Sequence, residues 1–305
     1  MAETRELIII GAGPAGLSAA LYGKRAGLDT LVLEQGTTGG QVNNTSEIEN
    51  YPGILHSGGA EIGEKMRDHA LKFGAEIRRS DSNKVEIRDG RKFIVTPKGD
   101  IEAKAVIVAT GSHFRHLGCD GEAEHIGQGV SFCAVCDGMF YEGYEIAVVG
   151  GGNTAVEEAD YLTKFASKVY IIHRRNEFRA VQAVVDRALA NPKIVPVYDS
   201  VVEKIEGVGM VESITLRNVK TNETSQLPVA GVFMFVGQSP ESDCVKGVVD
   251  TDSNGWIITD EKMQTSVPGI FAAGDVRKKF LRQVITAASD GAIAAMAASD
   301  YIRSL

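Results

Sequence analysis

Residues 7–16 read Leu7-Ile8-Ile9-Ile10-Gly11-Ala12-Gly13-Pro14-Ala15-Gly16. Four apolar residues running straight into G-x-G-x-x-G spell a short buried strand that turns sharply into a helix, here continued by residues 17–22. Each glycine has its own reason. Gly11 permits the tight turn, Gly13 lets backbone approach a pyrophosphate, and Gly16 allows close helix–strand packing. The orphan N–H groups at the helix start then face the phosphates. A second strand, 30–33, ends in Glu34, followed by Gln35, where a carboxylate can accept from ribose hydroxyls. The pattern returns much later. Strand 145–149 leads into Gly150-Gly151-Gly152-Asn153-Thr154-Ala155, a helix runs through Leu162, and strand 168–172 ends in His173-Arg174-Arg175, with Arg179 beyond. Where Glu34 would repel a ribose 2′-phosphate, guanidinium forks bind one bidentately. The chain is therefore expected to carry two dinucleotide sites of opposite preference: an unphosphorylated adenosine ribose in the first, NADP(H) in the second.

Between and after these units, residues 92–97 and 102–109 read as strands, the latter closing on Thr110-Gly111. Residues 213–219 and 230–236 read likewise. Residues 269–275 form a last strand closing on Gly274-Asp275, and an alanine-rich helix follows from about 283 to 303. An aspartate closing a strand beside a helix start can accept a ribitol hydroxyl, so the chain is expected to return and complete its first domain. The predicted class is α/β with two Rossmann-like three-layer domains, the second inserted into the first. No Pro-rich linker or low-complexity tract interrupts it.

Composition narrows the function. Lys and Arg number 32 against 40 Asp and Glu, a net charge of −8. That balance offers no general electrostatic footprint for nucleic acid or for an anionic membrane. The N-terminal apolar run is far too short for a secretory signal or a membrane span. The 34 glycines in 305 residues exceed the usual ~7% and show no collagen period, which places them in turns and phosphate-approaching loops.

Four cysteines in 305 residues are not a disulfide scaffold, and a cytoplasmic setting is expected. Cys119 and Cys244 are isolated, while Cys133-Ala134-Val135-Cys136-Asp137-Gly138 holds a C-x-x-C pair. A structural zinc would want a second pair or suitably spaced histidines, and neither is present, so no metal is expected. Two structural thiols remain open as a reading. A dithiol/disulfide couple is the sharper one, because a helix start after Ser131-Phe132 would lower one thiol's pKa. Asp137 is a candidate proton donor or acceptor for the departing thiolate, or alternatively a capping carboxylate.

Taken together, these blocks, along with Gly39-Gly40-Gln41, Ala109-Thr110-Gly111 and Arg282-Gln283, resemble the low-molecular-weight thioredoxin reductases over nearly the whole chain. The resemblance implies a homodimer in which residues 1–116 and 242–305 form a discontinuous FAD domain, and residues 117–241 an NADPH domain carrying the dithiol. It implies FAD contacts from Gly11, Gly13, Pro14, Ala15, Gly16, Glu34, Gln35, Gly40, Gln41, Asn50, Val85, Ala109, Thr110, Gly111, Gly274, Asp275, Arg282, Gln283 and Val284. NADPH contacts would come from Gly150, Gly152, Asn153, Thr154, Ala155, His173, Arg174, Arg175 and Arg179. Electrons would pass from NADPH through the flavin to the Cys133–Cys136 disulfide and on to thioredoxin. Cys136 would then lie nearest the flavin, Cys133 would attack thioredoxin, and Asp137 would serve as acid/base. The NADPH domain would rotate between half-reactions about residues 113–117 and 237–242. The chain departs from the family at Val135, where threonine is frequent, and at Gly237-Gln238-Ser239-Pro240-Glu241-Ser242. The competing readings are a related flavoprotein with another electron donor or disulfide partner, and a non-enzymatic flavin redox sensor.

Overall fold

The computed structural model describes residues 3–45, 48–80 and 83–305. The chain divides into two units, 1–113 with 239–305, and 114–238.

The first unit opens with strand β1 (Glu3–Ile10), helix α1 (Pro14–Arg25), strand β2 (Thr30–Glu34) and helix α2 (Gly59–Lys72). It continues through strands β3 (Glu76–Arg79), β4 (Lys84–Arg88), β5 (Arg91–Thr96) and β6 (Gly99–Val108). Along β1, alternate side chains enter opposite cores. Leu7 and Ile9 pack on the side of α1, while Ile8 and Ile10 pack on the other side. A strand buried on both faces needs an unbroken apolar run, which 7–10 supplies. Each such side chain contributes ~1.5–3 kcal/mol of burial.

The sheet runs β3-β2-β1-β6-β5-β4. β1 is parallel to β2 and to β6, and β4, β5 and β6 form an antiparallel meander. The far half of the long strand β6 is left for the returning chain.

Strands β7 (Ser112–Phe114) and β16 (Gln238–Pro240) pair as a two-stranded ribbon where the chain leaves and re-enters the first unit. The units consequently part slightly earlier, at 113/114 and 238/239, than the expected 116/117 and 241/242.

The second unit holds β8 (Val130–Ser131), α3 (Ala134–Asp137), β9 (Glu145–Gly150), α4 (Asn153–Leu162), β10 (Lys168–Ile172), α5 (Gln182–Leu189) and β11 (Ile194–Val197). Strands β12 (Ser200–Glu206), β13 (Ser213–Asn218), β14 (Thr224–Pro228) and β15 (Gly231–Phe235) follow. A parallel sheet, β11-β10-β9-β15-β8, stands beside the antiparallel sheet β12-β13-β14.

The chain returns to the first unit through β17 (Ile270–Ala272), which pairs parallel with residues 106–108 of β6, and ends in α6 (Val284–Arg303). α6 approaches α1 so closely that a Cβ on Gly291 would lie 2.0 Å from the Ala15 carbonyl oxygen. Among the described residues, no helix is long and apolar enough to cross a membrane.

Candidate functional site

In the first unit, the turn after β1 is built as its glycines require. Gly11 has φ +103°, and a Cβ there would meet the Ala109 carbonyl oxygen at 2.4 Å. A Cβ on Gly16 would sit 1.9 Å from the Gly11 oxygen. Gly13 is the N-cap of α1 and Pro14 opens the helix, where its missing N–H costs nothing. Gly40 packs its Cα side against Gly13, and Gly39 N–H donates to the Ala12 oxygen (2.8 Å).

Glu34, at the tip of β2, accepts from the Ala12 N–H (2.5 Å) and the Gly36 N–H (2.6 Å). A carboxylate has about four lone-pair directions, so acceptor capacity remains. Gly11, Glu34, Gln35, Thr110, Glu241 and Asp243 line a cavity of about 400 Å³ beside this turn. The sequence reading misses Glu241 and Asp243, which arrive from the returning chain.

The remaining expected contacts fall into three groups. Gln41 donates its amide to the Ser112 carbonyl, Thr110 Oγ1 donates to the Glu241 carbonyl (2.5 Å), and Asn50 Nδ2 donates to Gln283 Oε1 (3.2 Å). Ala109 N–H donates to Ile10 and ties β6 to the turn. Val85 is fully buried in the core under β4. Gly111 adopts positive φ, and Val284 begins α6 with Gln283 as its N-cap.

Gly274 also has positive φ (+77°), and a Cβ there would meet Ala15 Cβ at 2.7 Å. Next to it, Asp275 Oδ1 is buried with no hydrogen-bond partner, and burial pushes this carboxyl up. The Arg282 guanidinium lies over the Trp256 ring, its Cζ 3.8 Å from the centroid, and is half-buried there.

The second unit repeats the device. Gly150 ends β9, and a Cβ on it would strike the Phe235 oxygen (2.5 Å) and Ala155 Cβ (2.6 Å). Gly152 is the N-cap of α4 and stands in open space. Asn153 Oδ1 accepts from the Val181 N–H (2.8 Å), and Arg179 N–H donates to the Gly151 oxygen (2.7 Å). These bonds fold the segment after β10 back over the turn; Thr154 lies in the first turn of α4.

His173 differs from its neighbours. It is 5% exposed, and its ring fills the space beside Gly151, where a Cβ would approach within 2.3 Å. Burial, followed by the charges of Arg179, Arg175 and Arg174, pushes its pKa down. It is therefore a neutral packing group beneath the turn. The three arginines are exposed, and among the described residues none is paired with a carboxylate.

Cys133 and Cys136, also in the second unit, are joined as a disulfide with Cα atoms 5.3 Å apart. Cys133 is the N-cap of α3, and the Cys136 N–H points at its sulfur (N···Sγ 3.2 Å). Ser131, brought into place by the pairing of β8 with β15, donates its hydroxyl to Asp137 Oδ2 (2.5 Å) and accepts from the Cys133 N–H (3.1 Å). No motif in the sequence marks Ser131 for that role. Burial pushes the Asp137 carboxyl up, with the Ser131 bond acting against it. Tyr141 below is pushed up to about 12, mainly by burial. Val135, Met139 and Phe140 are exposed around the disulfide. Cys119 and Cys244 are free thiols, pushed by burial to about 11 and about 12.

The chain matches the family model described as pyridine nucleotide-disulphide oxidoreductase over residues 5–291. The thioredoxin reductase of Peptoclostridium acidaminophilum is 47% identical over 99% of this chain and 98% of its own. That of Bacillus subtilis is 46% identical over 98% of this chain and 95% of its own. The crystal structure of thioredoxin reductase from Streptococcus pyogenes superposes with a TM-score of 0.96 at 47% identity, with both chains fully covered. A family model spanning most of the chain and relatives matched end to end at 46–47% identity agree, and the chain belongs to the thioredoxin reductases of the pyridine nucleotide-disulphide oxidoreductase family.

Proposed function

We propose that the chain uses NADPH, through FAD, to reduce the Cys133–Cys136 disulfide, and that the resulting dithiol reduces thioredoxin. The observation that carries this reading is the disulfide standing on the same unit as three arginines in the segment after β10 that, among the described residues, pair with no carboxylate. A ribose 2′-phosphate is a dianion near neutral pH, and Arg174, Arg175 and Arg179 answer it in number and sign. The α4 N-terminus above Gly152 suits the pyrophosphate.

The first unit fits FAD. Its turn has no side chain at Gly11, Gly13 or Gly16, Glu34 retains acceptor capacity, and the orphaned Asp275 Oδ1 awaits a hydroxyl donor. Bound there, FAD supplies a two-electron relay between nicotinamide and disulfide.

The chain's own residues then manage sulfur and protons. The Cys136 N–H stabilises a thiolate on Cys133, the sulfur that attacks the partner's disulfide to form a mixed disulfide. Cys136 attacks Cys133 to release the partner as a dithiol and restore the internal disulfide. Asp137, whose burial lets it hold a proton at higher pH than an ordinary aspartate, protonates the first departing thiolate; as a carboxylate it then takes the Cys136 proton and passes it to the second. The exposed apolar side chains of Val135, Met139 and Phe140 suit a protein partner better than a small disulfide. Rotation between half-reactions would pivot on the β7–β16 ribbon. The enzyme is further proposed to be a cytoplasmic homodimer, which sedimentation equilibrium tests for its stoichiometry.

Anaerobic titration with NADPH, following flavin absorbance, tests the central claim. About two hydride equivalents per flavin are expected, one for the flavin and one for the disulfide. An end point at about one equivalent means a redox-silent disulfide and overturns the relay. Absence of bleaching, with dithionite still reducing the flavin, overturns NADPH as donor.

A further inference from the structure

Asp290 is a buried acid in the alanine-rich helix α6, 6% exposed. Its Oδ2 accepts from the Gly274 N–H (3.1 Å), Arg277 Nε (3.2 Å) and Lys279 Nζ (2.7 Å). Both cationic side chains are themselves largely buried, Lys279 at 7% and Arg277 at 14% exposure. One carboxylate therefore holds two cations. Arg277 has a further neutral partner, Thr259 Oγ1 (3.1 Å), whereas Asp290 is the acid paired with Lys279. The other carboxylate close by is Asp275, which feels the charges of Lys279 and Arg282 and yet keeps Oδ1 unpartnered.

We propose that Asp290 is a positioning residue that sequesters Lys279 and Arg277, so that Asp275 keeps a carboxylate oxygen free for a hydroxyl of the bound cofactor. This rests on the assignment of the first unit to FAD. Buried cations do not stay unpaired, because leaving one partner of a buried pair alone is strongly unfavourable. Without the charge of Asp290, Lys279 would turn to Asp275 and occupy the oxygen the cofactor needs. The Gly274 N–H bond adds a second hold, fixing the turn that carries Asp275 against α6.

The charge arrangement makes a signed prediction that a purely structural role does not. FAD affinity of the full-length flavoprotein is read from flavin fluorescence released on dilution, for wild type, D290N, K279M and D290N/K279M. Asparagine keeps the size and the acceptor for Gly274, and removes only the charge. D290N is expected to weaken FAD binding about tenfold or more and K279M to stay within about threefold, with the double variant binding FAD more tightly than D290N alone. Additive losses in the double variant, or wild-type affinity in D290N, overturn the proposal. Should D290N fail to fold, K279M and R277M carry the test. Each should retain FAD within about threefold, because Asp290 still holds the other cation, and a larger loss in either overturns it. A wild-type protein that holds no FAD would instead remove the underlying assignment, and the proposal with it.

Discussion

On the proposed 2′-phosphate role, replacing Arg174 and Arg175 together by alanine should sharply reduce the preference for NADPH over NADH. A charge-assisted hydrogen bond contributes ~1.5–3 kcal/mol where it is shielded, and exposed ion pairs contribute ~1 kcal/mol or less. Both arginines are exposed and, among the described residues, lack carboxylate partners, so each can bind phosphate but is screened. About 1–1.5 kcal/mol apiece gives ~2–3 kcal/mol, or roughly 30- to 150-fold in kcat/KM for NADPH. NADH makes no 2′-phosphate contact and should change less than about threefold.

The assay is steady-state reduction of a dithiol-reactive disulfide dye through thioredoxin, with each nucleotide varied, at two ionic strengths and across pH. The wild-type preference should shrink in high salt, because screening shortens to ~3 Å at 1 M. It should also shrink below about pH 6, where the phosphate takes up its second proton and loses a charge. The double variant, which keeps only Arg179, should show both trends much weakened. An equal loss for both nucleotides, or an unchanged ratio, would refute the 2′-phosphate role of the arginines.

Three further outcomes are expected. Cys133→Ser should retain flavin and its reduction by NADPH while abolishing thioredoxin reduction; retained turnover with thioredoxin would remove Cys133 as the attacking sulfur. Asp137→Asn should raise the melting temperature at pH 7–8. Burial holds the native Asp137 pKa above its unfolded value, so its contribution is fully present below the unfolded ~3.9 and is lost as pH rises through the native pKa. The stability gap should therefore close toward pH 4, and a variant less stable than wild type at pH 8 would count against the burial argument. Reduction by NADPH should expose two rapidly reacting thiols to an aromatic disulfide reagent. Cys119 and Cys244, pushed to about 11 and about 12, should react slowly throughout; rapid labelling of either before reduction would contradict their burial.

Local sequence determines a good deal of this protein. The run 7–10 with Gly11, Gly13 and Gly16 specifies a strand, a turn and a helix; at Gly11 and Gly16 the reason is steric, because a Cβ there would lie within 2.4 Å of a backbone carbonyl oxygen. The echo at 145–155 keeps the steric need at Gly150, where a Cβ would strike the Phe235 carbonyl oxygen, and the change from Glu34 to Arg174-Arg175 states a charge preference in two positions. The Cys133–Cys136 spacing announces a couple whose sulfurs the short helix α3 brings together. Such features are legible because their causes lie within a few residues of one another.

What lies far apart in the chain was decided by tertiary structure. Glu241 and Asp243 reach the cavity beside Gly11 because residues 239–305 return to the first unit, where β17 pairs with β6. Ser131 meets Asp137 because β8 is pinned to β15, a pairing across roughly a hundred residues that no local motif encodes. His173 reads as one of three consecutive phosphate-facing groups. In the fold it turns inward, since the space left by Gly151 accepts an aromatic ring and burial disfavours its charge. Asp290 looks like an interruption in an alanine helix until Lys279, Arg277 and the Gly274 N–H converge on it. A sequence can specify turns and charges through local sterics. Which carboxylate keeps an oxygen free depends on how distant charges are shared in a medium of low dielectric, and only the folded chain sets that.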